Sequence, residues 1–145
     1  MAVGDRNDPF RGYNYRVEID GLSVAGFSEA SGLTLDTEPV EYREGNELRM
    51  TVRKLSGLRK FSNITLKRGY TDNMELFDWY KQNLNGSVER RNGAIVLMTE
   101  DRDDALRWNF EQGWICKYTG PTMTATSNDV SIESVEICVE WIELE

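Results

Sequence analysis

The chain has 145 residues, a net charge of −8, a pI near 4.7, 39% hydrophobic residues, 29% charged residues and only three prolines. That length buries one core, and the composition is that of a globular domain rather than a disordered tail, so one domain over 1–145 is expected. The acidic balance argues against a general nucleic-acid surface, and no apolar run approaches the ~20 residues of a bilayer-crossing helix, so no direct membrane insertion is expected.

The chain contains no histidine, and its two cysteines, Cys116 and Cys138, form no CxxC pair. Zinc sites draw mainly on Cys and His, and Ser or Cys nucleophiles usually need a His base, so neither a metal site nor nucleophilic catalysis is expected. Both cysteines fall in strand-like segments and read as small, partly buried thiols of a reducing compartment, with a disulfide between them left open. Residues 1–8 hold no hydrophobic segment of the signal-peptide kind, so synthesis in the cytoplasm is expected. The basic pairs Arg53-Lys54, Arg59-Lys60, Lys67-Arg68 and Arg90-Arg91 read as outward faces of strands and loops.

Tyr13, Tyr15, Val17 and Ile19 alternate with Asn14, Arg16 and Glu18, the period of a half-buried strand. Asp20-Gly21 suits a tight turn, so Leu22 to Ser28 is expected to return antiparallel as a hairpin. Val40 to Arg43 makes a short strand. Glu44 to Gly57 is long, polar and bounded by glycines, yet Met50 and Val52 alternate within it. It reads as an arm that finds its pairing partner elsewhere. Asn63 to Lys67 is a further strand.

The period then changes. Asp72, followed by Glu75, is a capping-box variant, Met74, Phe77 and Tyr80 fall at helical spacing, and Asn85-Gly86 is a stop. One helix over about 72–84 is expected, packed through Met74, Phe77 and Tyr80. Ala94 to Met98 is a continuous apolar run suited to a strand buried on both faces. The acidic turn at 100–104 leads to a strand over Leu106–Tyr118, broken by Gly120-Pro121. In the last strand Val135, Ile137, Val139 and Trp141 share one phase, while Val130 and Ile132 hold the other, which predicts a bulge near Glu133-Ser134. Six or more antiparallel strands and one helix make a mainly β fold, two packed sheets forming a sandwich or barrel.

Phosphate loops, nucleophile elbows and dinucleotide fingerprints are absent. Asp101, Asp103 and Asp104 lack the glycine and distal glutamate of a calcium loop and read as a solvated hairpin tip. Asn63-Ile64-Thr65 matches a glycosylation sequon by pattern alone. No enzyme activity and no cofactor are expected.

Several segments, in order, resemble the inner tube proteins of contractile phage tails and contractile injection systems, which are related in fold to type VI secretion tube proteins. They are Asp8-Pro9-Phe10, Gly26 to Leu33, Tyr42-Arg43-Glu44-Gly45, Asn63 to Gly69, Arg90-Arg91-Asn92-Gly93, Arg107-Trp108-Asn109-Phe110, Lys117 to Pro121 and Ile132 to Glu136. Cys138 through Glu145 depart from the family's usual ending. The resemblance implies six-membered rings stacked into a tube with a barrel-lined lumen, driven through a target envelope by a contracting sheath. It implies as partners further copies of the chain, a sheath protein, baseplate or tube-initiator and tube-terminator proteins, and luminal cargo, either a protein effector or DNA. It also implies an assembled phage tail or injection particle, which can be extracellular, as the final location.

In that family the arm (about 44–57) contacts neighbouring subunits and rings. The candidate intersubunit residues are therefore Glu44, Glu47, Arg49, Met50, Val52, Arg53 and Lys54. The compact length favours the main repeating subunit, with a tube initiator and a phage tail tube still open. The competing reading is a monomeric small β-barrel that binds an apolar ligand.

Overall fold

The computed structural model describes residues 8–22, 26–126 and 128–145. The apolar run expected to be buried on both faces is the centre of β6 (Arg91–Met98). This strand lies between β1 (Tyr15–Ile19) and β7 (Asp104–Thr119), antiparallel to both. Ile95 faces the main core, while Ala94, Val96 and Met98 form a second cluster on the opposite face.

Sixteen residues make β7 too long for one layer. Its first part pairs with β6 and with β9 (Trp141–Leu144), and its last part pairs with β8 (Ile132–Cys138). Between the two parts Gln112 has φ +56°, and a Cβ on Gly113 would sit 3.0 Å from both Ile137 and Phe110. The strand bends there and enters a second layer. In that layer β8 pairs with β5 (Ile64–Gly69), and β5 with β2 (Phe27–Ser31). The path is β1-β6-β7-β8-β5-β2, with β9 attached to β7 and every pairing antiparallel.

The layers share one core in which Ile64, Phe110, Ile115 and Ile137 are at most 1% exposed. Each such side chain contributes about 1.5–3 kcal/mol relative to exposure. Mainly β, two-layered and carrying one helix, the fold is the sandwich expected from the sequence.

Four local expectations are corrected. Asp20-Gly21 does turn, with Gly21 at φ +77° and Ile19 bridging Leu22, but no hairpin follows. Residues 23–25, within the expected return strand, lie outside the described ones. From Phe27 the chain is in the second layer, where β5 rather than β1 is the partner.

The helix α1 spans Glu75–Leu84, and Asp72 does not cap it: the N-cap is Met74, and the Asn73 Oδ1 accepts the Glu75 N–H at 2.9 Å. The stop at Asn85-Gly86 is as expected, with Gly86 at φ +82°. Leu76 and Trp79 are the buried face, Phe77 and Tyr80 lie half-buried against the Tyr118 ring, and Met74 is exposed. Two adjacent apolar stripes were available, and the later start selects 76 and 79.

The bulge expected near Glu133-Ser134 is absent there, because the β8 ladder with β5 runs unbroken through both residues. Glu133 itself takes the inward position, leaving Val130 and Ile132 exposed. The bulge lies instead on β7, between Ile115 and Lys117. The last strand breaks after Cys138, so Trp141 is exposed and Ile142 buried.

Finally, the arm is no unpaired loop. β3 (Leu35–Tyr42) and β4 (Arg53–Phe61) pair with each other as a separate two-stranded ribbon, and only 43–52 connects them.

Candidate assembly interface

Every residue of β3 is exposed, and in β4 only Gly57 and Phe61 are partly covered. A two-stranded hairpin of this kind is marginally stable in water by itself. Its base is closed by the Ser62 N–H donating to the Thr34 carbonyl at 3.1 Å, and the ribbon meets the sandwich where the Phe61 ring lies 5.2 Å from that of Trp141 between centroids.

Along the ribbon the two strands carry opposite charge. Arg53, Lys54, Arg59 and Lys60 stand on β4, with Asp36, Glu38 and Glu41 on β3. The register places Glu41 opposite Lys54 and Asp36 opposite Lys60. Opposed charges of this kind favour that register. The register shifts at a bulge between Thr37 and Pro39, where a Cβ on Gly57 would fall 2.5 Å from the Glu38 carbonyl oxygen.

The tip is ordered by a residue outside the expected set. Arg43 donates from Nη2 to the Glu47 carbonyl at 3.1 Å and from Nε to the Arg49 carbonyl at 3.3 Å. The Arg53 Nε stands 2.6 Å from the Glu47 Oε1. Of the expected residues, Glu44, Glu47, Arg49, Met50 and Val52 thus belong to the tip, whereas Arg53 and Lys54 open β4.

Met50 is 90% exposed and Leu48, also outside the expected set, 99% exposed. Val40, Tyr42, Leu55 and Leu58 add further exposed apolar surface along the ribbon. The alternation of Val40 with Tyr42 and of Lys54 with Leu55 was the available signal for this longer hairpin. The polar stretch between them concealed it.

Charged contacts also run along each layer of the sandwich beneath. Arg16 on β1 and Arg107 on β7 flank Val96 across β6. Arg16 donates to Asp104 at 2.5 and 2.8 Å and to Glu18 at 3.0 Å, and Arg107 donates to Glu18 at 2.6 Å. This lattice roofs the small Ala94, Val96 and Met98 cluster. Hydrogen bonding to Arg107 holds the Glu18 carboxyl below its ordinary range, and hydrogen bonding to Arg16 does the same for Asp104.

On the other layer, the outward face pairs its charges: Lys67 with Glu29 at 3.3 Å and Lys117 with Glu136 at 3.9 Å. The Asn63 Nδ2, the acceptor atom of the sequon pattern, donates to the Glu136 Oε1 at 3.3 Å. The acidic turn at 100–104 is a hairpin tip, with Arg102 at φ +65° and the Thr99 N–H donating to the Asp103 carbonyl at 2.9 Å.

A family model described as T4-like virus tail tube protein gp19 matches residues 11–143. The chain belongs to this tail tube family.

Solved structures agree with the tail tube assignment. A chain of the PVC extracellular contractile injection system sheath–tube complex, in its extended state, superposes with a TM-score of 0.85 at 26% identity, over 94% of this chain and 91% of that one. A chain of the anti-feeding prophage cap, described as the AFP tube terminating cap, gives 0.85 at 24% identity, over 100% and 99%. Hcp1 from Flavobacterium johnsoniae shares the fold more distantly, at 0.55 and 15% identity over 91% and 94%. No curated protein sequence matches the chain significantly. As a tail tube protein the chain is a structural component rather than an enzyme. Ile64, Phe110, Ile115 and Ile137 belong to the core shared by the two layers.

Proposed function

We propose that this tail tube chain assembles into six-membered rings that stack as the inner tube of a contractile injection system or phage tail. The observation that carries the reading is the ribbon of β3 and β4. It projects exposed apolar side chains and two strand edges that pair with no other strand among the described residues, beside a sandwich formed without it. Exposed edges of this kind are aggregation hazards unless a defined partner covers them, and a closed ring with open axial stacking supplies such partners. Glu44, Glu47, Arg49, Met50, Val52, Arg53 and Lys54 then act in intersubunit contact, together with Leu48 and with Arg43 as the organiser of the tip.

In this reading a sheath surrounds the tube and drives it outward on contracting, a baseplate or initiator nucleates it, and a terminator caps it. Protein effectors or DNA pass along the lumen. Synthesis in the cytoplasm precedes incorporation into a particle that acts outside the cell.

Two samples test this: the intact chain, and one with residues 46–56 replaced by a short Gly-Ser linker. Light scattering is expected to give a hexamer of the 16.7 kDa chain, or larger, for the first. The second is expected to keep its fold by circular dichroism and to lose stacking. Unaltered stacking in the linker variant would remove the arm from the mechanism.

A further inference from the structure

Cys116 is the extra residue of the bulge on β7, lying between the Ile115–Ile137 and Lys117–Glu136 pairs, and Cys138 stands opposite Trp114. Along β8 the buried Val135 and Ile137 alternate with Glu136 and Cys138, so the Cys138 side chain leaves the core on the outward face. The Cys116 sulfur lies on that same face. It donates to the Glu136 carbonyl at 3.5 Å and accepts from the Asn63 Nδ2 at 3.7 Å. Cys116 and Cys138 are therefore diagonal neighbours across the β7–β8 pairing on that face. Both are free and half-buried.

In a regular ladder, diagonal neighbours lie about 7–8 Å apart, at the far limit for a disulfide. A bulge twists its strand and re-aims the extra side chain, which here carries the Cys116 sulfur towards β8.

We propose that Cys116 and Cys138 form a dithiol site that low-molecular-weight disulfides oxidise, closing a cross-link that ties β7 to β8 when the chain meets an oxidising medium. The Cys116 thiolate attacks one sulfur of the small disulfide RSSR. A mixed protein–SR disulfide forms, and RS− leaves, taking up the proton that Cys116 lost. The Cys138 thiolate then attacks the Cys116 sulfur, the second RS− departs, and it takes up the Cys138 proton. The protein is oxidised by two electrons, and RSSR is reduced to two RSH.

Burial, aided by the neighbouring Cys116 thiol, pushes Cys138 up to about 12. The charged groups beside the pair are Glu136 and Lys117. The second attack is therefore the slow one and quickens as pH rises, because the thiolate is the nucleophile. The cross-link would close the chain around the connection at 120–131, whose described residues are exposed apart from Pro121. The site rests on the β7–β8 geometry alone and does not depend on the tube reading.

The test exposes the folded full-length chain to glutathione disulfide at pH 8, alkylates remaining thiols with N-ethylmaleimide, and maps the products by non-reducing mass spectrometry. The expected product is an intrachain Cys116–Cys138 disulfide. It should have a raised Tm that dithiothreitol returns to its starting value. Cys138→Ser is expected to stop at a glutathione adduct on Cys116, and the Cys116→Ser, Cys138→Ser double variant to show no Tm response to the oxidant. The proposal is overturned if both thiols stay alkylatable. It also fails if glutathione adducts or interchain dimers are the only products, or if the cross-link forms only in urea. Any of these would leave the assembly reading untouched.

Discussion

Arg68 of β5 and Glu133 of β8 form an ion pair inside the sandwich, with 4% and 2% of their surfaces exposed. The Tyr118 hydroxyl donates to the other Glu133 oxygen at 2.5 Å, and the Arg68 Nη2 donates to the Asn73 carbonyl at 2.7 Å. Three strands and the approach to α1 therefore meet at one polar knot. Removing one partner leaves a buried charge unpaired. Arg68→Ala or Glu133→Ala is expected to cost about 3–5 kcal/mol, whereas Arg68→Met with Glu133→Leu together costs much less. Urea unfolding followed by tryptophan fluorescence measures both, and equal losses would contradict this account.

Stability should show a plateau with two shoulders. Glu18 and Asp104 are held below their ordinary 4.5 and 3.8, Glu18 chiefly by Arg107 and Asp104 chiefly by Arg16. A depressed carboxyl contributes stability above its unfolded value and loses it as pH falls through the folded value. Tyr118 is shifted the other way, raised above 10 first by burial and then by Glu133. Its contribution is complete below pH 10 and is lost as pH rises beyond, when the unfolded phenol ionises first. Urea midpoints against pH should be flat between about pH 5 and 9 and fall on both sides. Glu18→Gln should soften the acid shoulder. A midpoint that rises below pH 4 would be inconsistent with the lattice.

The bulge of the arm offers a way to disturb the ribbon without touching the core. A side chain at Gly57 would meet the Glu38 carbonyl oxygen at 2.5 Å and the Val40 Cγ2 at 2.9 Å. Gly57→Val is therefore expected to splay β3 from β4. Global stability should change by no more than about 0.5 kcal/mol, as for a surface site. Tube formation should be lost. Normal tubes would show that assembly tolerates a distorted ribbon.

Trp79 anchors α1: its Nε1 donates to the Glu89 carbonyl at 2.8 Å, and the Arg91 guanidinium lies 5.5 Å from the ring centroid. Trp79→Phe keeps most of the volume and orphans the carbonyl, for an expected loss of about 1–3 kcal/mol. Trp79→Ala adds a cavity and should cost about 3–5 kcal/mol. Thermal unfolding orders the two variants, and a neutral Trp79→Ala would show that the helix is not anchored there.

The segments that carry the family resemblance turn out to be mostly structural. Arg68, Tyr118 and Glu133, from three separate segments, converge on the buried knot. In the Arg90–Gly93 segment, the Arg91 Nη1 reaches the Asp20 carbonyl at 2.6 Å. A side chain at Gly93 would strike the Glu18 carbonyl oxygen and Phe110. The apolar run located β6 because its centre is buried almost continuously, and the alternation of Trp108 and Phe110 with Arg107, Asn109 and Glu111 located most of β7 although its burial is less regular.

Alternation failed at Glu133, where a charged residue occupies an inward position that only the distant Arg68 makes tolerable. It failed again after Asp20-Gly21, since a turn dictates the direction of the chain but not which sheet the next strand joins. The arm was located but its pairing missed, because the ribbon has no buried face to impose a period. In the proposed assembly its exposed Leu48, Met50 and Leu58 would face a second copy.

Electron microscopy of the purified chain at high concentration bears most directly on what the protein does. End-on views should show six-fold rings with a central hole, and side views should show those rings stacked into tubes. Particles no larger than one chain under every assembly condition tried, in a sample that remains folded, would contradict the tube.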